Sequence, residues 1–258
     1  MRTVVLNPVG AQVSDLPLSE PSSRSAPDVS RLRLLLAEHG VLVLPGQEID
    51  DPDFLAFLRC FGRLTFTAGE TPVPGFPDLN VISNVGRTTP PRSVFHVDTS
   101  YVSNPPAYTA LRAVTVPEQG GQTLFTNQYR AYDTLPADLR ESLHGRTVRH
   151  VVTGLSPDAA GPETEAHHPV FPAHPISGRT TVYISTPERC VSVEGLDAER
   201  SRQVVAALYE HSTSQANVFR HTWSAGDVVI WDNRVVMHRA DHEAVSGDRV
   251  MHRGMVTA

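Results

Sequence analysis

The stretch VFHVDTSY, residues 94–101, sets His96 and Asp98 two positions apart between apolar neighbours and closes on Tyr101. An imidazole and a carboxylate are both ligands for a divalent transition metal. Two neutral imidazoles and one carboxylate on one side of an ion leave three positions open for other molecules. With 12 histidines and 15 aspartates in 258 residues, chance alone supplies roughly 0.7 His-x-Asp pairs per chain, so the pair carries little by itself. Its setting adds weight. If 94–101 is a strand, Phe95, Val97 and Thr99 point one way while His96 and Asp98 share the other face, as two ligands of one ion must.

A second histidine is required. His167, His168 and His174 in AHHPVFPAHP form one cluster, but two of them precede prolines and no carboxylate stands at strand spacing, so they read as surface or hydrogen-bonded residues. His238 is better placed, because SAGDVVIWDNRVVMHRA carries a Gly-Asp turn, an apolar strand and a second short strand that ends on it. Eleven residues further on, RVMHRGMV alternates Arg249, Met251 and Arg253 onto one face. Two guanidinium groups facing an interior are costly unless an anion binds them through paired hydrogen bonds, whereas on a solvent-facing edge strand they need no explanation.

These residues need a scaffold to position them. At 258 residues with 40% hydrophobic and 19% charged side chains, one domain spanning 1–258 is expected, since β barrels and jelly rolls reach this length undivided. From Pro27 the run PDVSRLRLLLAEHG has helical spacing and stops at Gly40, VLVLPG follows as a buried strand, and DDPDFLAFLRCFG is a second helix with Cys60 as a small core residue. Short strand-like runs then follow: LNVISN, VFHVDTSY, AYTALRAVTV, GQTLFTN, TVRHVVT, HHPVFPAHP, TTVYIS, NVFRHTW, DVVIWDN and RVMHRGMV. Helical patterns interrupt them at TNQYRAYDTLP, ADLRESLHG and DAERSRQVVAALYEHS, the last capped by Asp197. The pattern is mainly β with flanking helices, an α+β chain built on a sandwich or barrel, jelly roll included.

Composition excludes several function classes. All 22 basic residues are arginine, which rules out a Schiff-base lysine, a pyridoxal phosphate anchor and a P-loop lysine. A net charge of −6 without an arginine-rich run argues against nucleic acid and for small-molecule partners. Cys60 and Cys190 have no CxxC spacing, so neither a disulfide framework nor a zinc ribbon is indicated. No run reaches the roughly 18 apolar residues of a membrane span and the first residues lack a signal-peptide core, so a cytoplasmic protein with no membrane partner is expected.

Taken in order, HVDTSY, PEQGGQTLFTN, GDVVIWDNRVVMHRA and DRVMHR resemble the TauD/TfdA family of Fe(II)- and 2-oxoglutarate-dependent dioxygenases. The separations agree as well, 27 residues from His96 to Thr123 and 11 from His238 to Arg249. The likeness runs from about Val29 to Met255 and includes the FGRL block. It implies a double-stranded β-helix of the jelly-roll, cupin-like kind. It also implies Fe(II) held by the catalytic residues His96, Asp98 and His238, with 2-oxoglutarate as cosubstrate and O2 as oxidant. Arg249 and Thr123 take the distal carboxylate of 2-oxoglutarate, and Arg253 is the motif's second arginine. In the family CO2 and succinate are released as a substrate C–H bond is oxidised, by hydroxylation, desaturation or cleavage. Related halogenases lack the carboxylate that Asp98 supplies, so oxygenation is implied here. Members form dimers or higher oligomers, which leaves a homo-oligomer open.

The substrate end departs from the family. Thr67 stands where members that act on taurine carry a sulfonate-binding histidine, and Glu188 falls near an aromatic wall position. With Arg253 and Tyr101 these residues predict a small polar or amphoteric substrate. Two other readings use the same His/Asp/His set, a zinc hydrolase and a noncatalytic cupin-like binding protein. The first is disfavoured because no HExxH or GxSxG is present and a hydrolase has no use for a buried arginine pair, and the second because a binder needs no open coordination positions.

Overall fold

The computed structural model describes residues 1–67, 69–86, 93–154 and 161–257. The strands are β1 (Arg2–Val5), β2 (Ala11–Ser14), β3 (Val41–Leu44), β4 (Arg63–Thr65), β5 (Pro72–Val73), β6 (Phe76–Ser83), β7 (Tyr108–Thr115), β8 (Thr123–Thr126), β9 (Thr147–Val151), β10 (Glu165–Pro169), β11 (Cys190–Val193), β12 (Val218–His221), β13 (Val228–Asp232), β14 (His238–Ala240) and β15 (Val250–Thr257). The helices are α1 (Ala26–His39), α2 (Asp51–Arg59), α3 (Gln128–Asp133), α4 (Ala137–Leu143) and α5 (Ala198–Ser212), with short 3-10 turns at Pro21–Arg24 and Gln215–Asn217.

Helix boundaries follow their caps. The Ser25, Asp50 and Asp197 side chains accept from the backbone N–H groups of Asp28, Asp53 and Arg200, satisfying donors that the first turn leaves open. α1 ends where Gly40 turns to φ 74°, and a Cβ there would stand 2.8 Å from Val235 Cγ1. Glycine is therefore needed for its conformation and for the close approach.

One nine-stranded sheet runs β1-β2-β3-β13-β7-β15-β6-β5, with β4 beside β15. All its pairings are antiparallel except β2 with β3. Two three-stranded sheets, β12-β8-β14 and β10-β9-β11, complete the fold. Strand alternation divides the interior. From β13, Val228 and Ile230 join the Leu32, Leu36, Phe54, Phe57 and Leu58 side chains of α1 and α2, while Val229 and Trp231 face the opposite way, onto Phe125 of β8. Both faces are therefore covered, which explains why VVIW is an unbroken apolar run. Leu111 of β7 and Met251 of β15 join the second layer. The site described below opens between these two facing sheets. This is the jelly-roll arrangement expected from the family resemblance.

Two runs read as strands are not ladder strands. In VFHVDTSY a single bridge joins His96 to His238, after which the chain turns, with Thr99 at φ 45°. TTVYIS lies extended outside the ladders, fixed by isolated bonds such as Tyr183 N–H to the Val170 carbonyl at 2.9 Å. The first carries apolar residues at alternate positions and the second a continuous buried run from Thr181 to Thr186, but both patterns report burial, and a well-packed loop meets that condition too. The first residues, which no motif marked, form the β1–β2 hairpin at the sheet edge.

Candidate metal centre

His96 and His238 face each other across a doubly bonded antiparallel pair. The His96 N–H donates to the His238 carbonyl and the reverse, both at 3.0 Å, and the two rings lie with centroids 4.4 Å apart. Asp98 then reaches them from the turn. Its Oδ1 is 3.6 Å from His96 Nε2 and its Oδ2 is 3.8 Å from His238 Nε2. One ligand atom from each of the three falls within a 4.8 Å cluster, the one such His/Cys/Asp/Glu group among the described residues. The pairing that aligns Asp98 with His96 is thus a turn, correcting the strand-face argument while keeping its outcome.

The donor set fits a divalent ion. His96 Nδ1 lies 2.9 Å from the Val94 carbonyl, which can only accept, so Nδ1 carries a proton and Nε2 is the nitrogen turned toward Asp98. Burial pushes the His238 imidazole down to about 3, leaving it neutral. Burial alone would raise the Asp98 carboxyl, but the facing imidazoles of His238 and His96 and the Arg253 guanidinium hold it well below the usual carboxylate range. A neutral imidazole and an ionised carboxylate are the states that ligate.

Asp98 is held from behind. Thr109 of β7 donates its hydroxyl to Asp98 Oδ2 at 2.8 Å. Asn233 Nδ2 donates to Thr109 Oγ1 at 2.8 Å, and Trp231 Nε1 donates to Asn233 Oδ1 at 3.0 Å. Asn233 Nδ2 spends its second proton on the Pro106 carbonyl at 3.1 Å, so the relay is tied to the backbone and the carboxylate cannot rotate without breaking a buried bond.

Around the centre lies a cavity of about 340 Å3, walled by all three residues together with Thr67, Glu70, Tyr101, Thr123, Arg189, Trp231, Arg249 and Arg253. At one end Arg249, 1% exposed, donates Nε to the Gly121 carbonyl at 2.8 Å and reaches Thr123 Oγ1 at 3.4 Å. Gly121 is at φ 69°, and a Cβ there would lie 2.9 Å from Arg249 Cδ, so the Gly120-Gly121 turn is what lets the arginine lie along the backbone. Burial lowers the guanidinium to about 10, and it stays charged at neutral pH. Among the described residues no carboxylate lies within 4 Å of it. Thr123 Oγ1 also accepts from Trp223 Nε1 at 3.0 Å. With both lone pairs taken, the Thr123 proton is available for an anion.

Arg253 is placed differently. It lies 3.2 Å from Glu70 Oε1, 3.5 Å from Asp98 Oδ1 and donates Nε to Asn80 Oδ1 at 3.2 Å. Its charge is already matched inside the cavity. Thr67 and Tyr101 line the wall as expected, whereas Glu188 is exposed and outside the lining. Its neighbour Arg189 lines the wall instead, over the Tyr101 ring at 5.2 Å. Glu70, Arg189, Thr109 and Asn233 went unread in the sequence. Only Thr109 had a signal, a hydroxyl on an otherwise apolar strand face.

The rival histidines are elsewhere. His167 is exposed, His168 bonds the Ser100 carbonyl at 2.9 Å, and His174 pairs with Asp232 at 3.0 Å, beneath Arg234.

The family model described as taurine catabolism dioxygenase TauD, TfdA family, matches residues 3–255. The chain belongs to the TauD/TfdA family. It is a dioxygenase of that family over nearly its whole length. It is 31% identical to an alpha-ketoglutarate-dependent 2,4-dichlorophenoxyacetate dioxygenase of Cupriavidus pinatubonensis, covering 97% of this chain and 96% of that one. It is 28% identical to an alpha-ketoglutarate-dependent sulfate ester dioxygenase of Pseudomonas putida, covering 95% and 85%. The crystal structure of a taurine dioxygenase from Burkholderia xenovorans superposes with a TM-score of 0.86 at 28% identity, covering 100% of this chain and 89% of that one. As a TauD/TfdA member it has no helix, among the described residues, long and apolar enough to cross a membrane.

Proposed function

We propose that this TauD/TfdA protein is an Fe(II)- and 2-oxoglutarate-dependent dioxygenase that oxidises a small organic anion. The observation carrying the reading is Arg249, a buried charge with no carboxylate partner among the described residues, on the same cavity wall as a His/Asp/His cluster. Burying an unpaired guanidinium is strongly unfavourable, and a dicarboxylate that brings its far end to Arg249 and Thr123 offsets that cost. His96, Asp98 and His238 would hold the iron. When bound, iron and 2-oxoglutarate supply oxidising power for a C–H bond, with succinate and CO2 as co-products. Trp231, Leu111 and Ile82 wall the site with apolar surface and limit water around it. A zinc hydrolase leaves Arg249 without work, and so does a noncatalytic binder that uses the metal alone.

For the substrate, charge on the wall is informative. Of its two carboxylates, Asp98 belongs to the metal ligand set and Glu70 is paired with Arg253. Arg189, which donates to the Val97 carbonyl, brings a guanidinium to the same wall. The amphoteric substrate expected from Glu188 loses its basis, because that side chain is exposed, and an anionic group becomes the better match. The relatives named for a phenoxyacetate and for sulfate esters act on anions, which supports the same choice.

With Fe(II), 2-oxoglutarate and air, phenoxyacetate and a short alkyl sulfate should stimulate succinate release at least tenfold more than the methyl ester of phenoxyacetate, the magnitude of a lost charged hydrogen bond. Equal stimulation by the uncharged ester would contradict an anion-binding wall.

A further inference from the structure

Asp98 sits on a segment that the sheets do not hold. After the single bridge at His96 the backbone leaves the ladder, and Thr99 occupies the left-handed region at φ 45°, a costly conformation for a β-branched residue that persists only where its surroundings impose it. What imposes it is a set of side chains from outside the facing sheets. Val97 N–H donates to Ser185 Oγ at 3.2 Å and Arg189 donates to the Val97 carbonyl at 3.0 Å. On the far side of Thr99, Ser100 is gripped twice: its hydroxyl lies 2.9 Å from His150 Nδ1 and its carbonyl 2.9 Å from His168 Nε2.

We propose that His150 and His168, neither of them a ligand, are positioning residues that fix the Ser100 turn and thereby aim the Asp98 carboxylate at the metal. The two belong to adjacent strands, β9 and β10, and their rings pack edge to face with centroids 5.2 Å apart, so each ring limits the rotation of the other. The Ser100 carbonyl can only accept, which requires the proton of His168 on Nε2. His150 is fully buried, backed by the Cys190 thiol at 3.8 Å. It does not touch bulk water, and its one hydroxyl partner in the turn is Ser100. Thr109 holds the carboxylate itself and the histidine pair holds the backbone two residues beyond it, so the pair sets where the carboxylate starts from. This inference rests on the metal-centre reading above and adds the reason that the small β10-β9-β11 sheet is part of the site.

The test is a Co(II) titration of the intact protein, followed through the visible ligand-field bands. Wild type is expected to bind. His168→Leu should bind about tenfold or more weakly, the usual scale for removing a partner that orients a ligand, whereas His168→Gln keeps an N–H donor and should stay within about threefold. Ser100→Ala, which removes one oxygen and the His150 contact, should weaken binding in the same direction. Wild-type affinity in His168→Leu, or equal loss in the Gln and Leu variants, would overturn the proposal. If His168→Leu does not fold, unchanged Co(II) affinity in Ser100→Ala overturns it instead. A wild-type chain that binds no Co(II) at all overturns the metal centre, and with it this refinement, which separates the two failures.

Discussion

Asp98→Ala is expected to abolish coupled turnover. The substitution removes the anionic donor of the centre and leaves two neutral imidazoles, so metal affinity should fall by more than about a hundredfold, the upper end of what changes one shell further out cost. Fold should survive. Asp98 is buried, 5% exposed, and its ionised form is maintained against desolvation by His238 and Arg253. Removing it leaves Arg253 with Glu70 alone as its acid partner and the Thr109 hydroxyl without its acceptor, so some stability is lost. The expected pattern is therefore lost succinate formation and lost metal binding in a chain that still folds, with a lowered melting temperature. Activity within tenfold of wild type, measured at saturating Fe(II), would show that the carboxylate is not a ligand.

The second large effect is at Arg249. Here a guanidinium is buried with a hydroxyl and a carbonyl as its neighbours, and the anion that balances it has to come with the cosubstrate. Truncating one member of a desolvated charge pair costs about 2–5 kcal/mol. Arg249→Ala should accordingly raise the KM for 2-oxoglutarate by roughly 30-fold to several-thousand-fold at 1.4 kcal/mol per tenfold, with a smaller change in kcat at saturation. Pyruvate, which has no distal carboxylate, should be used about equally by both proteins. A variant that lost both keto acids alike would point to a structural role for Arg249, and an unchanged KM would remove it from the cosubstrate site.

Much of this was legible in the chain, but unevenly. The alternation that puts Arg249, Met251 and Arg253 on one face matches their burial, because Met251 and Arg253 lie in the central strand β15 and Arg249 immediately precedes it. The same rule puts His96 and Asp98 on one strand face, but only His96 is bridged to a strand and Asp98 stands in the turn that follows. The two ligands converge because Thr99 adopts a left-handed conformation held by distant residues, and one-dimensional spacing does not encode that. Charges in loops were the least legible. Glu188 was assigned to the substrate pocket, but Glu70 and Arg189 line it, since a loop has no periodicity to say which of two neighbouring side chains turns inward. Thr109 and Asn233 were out of reach for a different reason. Their importance lies in a hydrogen-bond relay across three strand and turn positions far apart in sequence, visible only after folding.

The most direct measurement is anaerobic. Fe(II) and 2-oxoglutarate added together to the wild-type chain should produce a visible metal-to-ligand charge-transfer band, absent with either component alone and absent in His96→Ala and His238→Ala. A chain that binds one equivalent of zinc tightly but develops no band with Fe(II) and 2-oxoglutarate would contradict the assignment of His96, Asp98, His238 and Arg249 to one chelate.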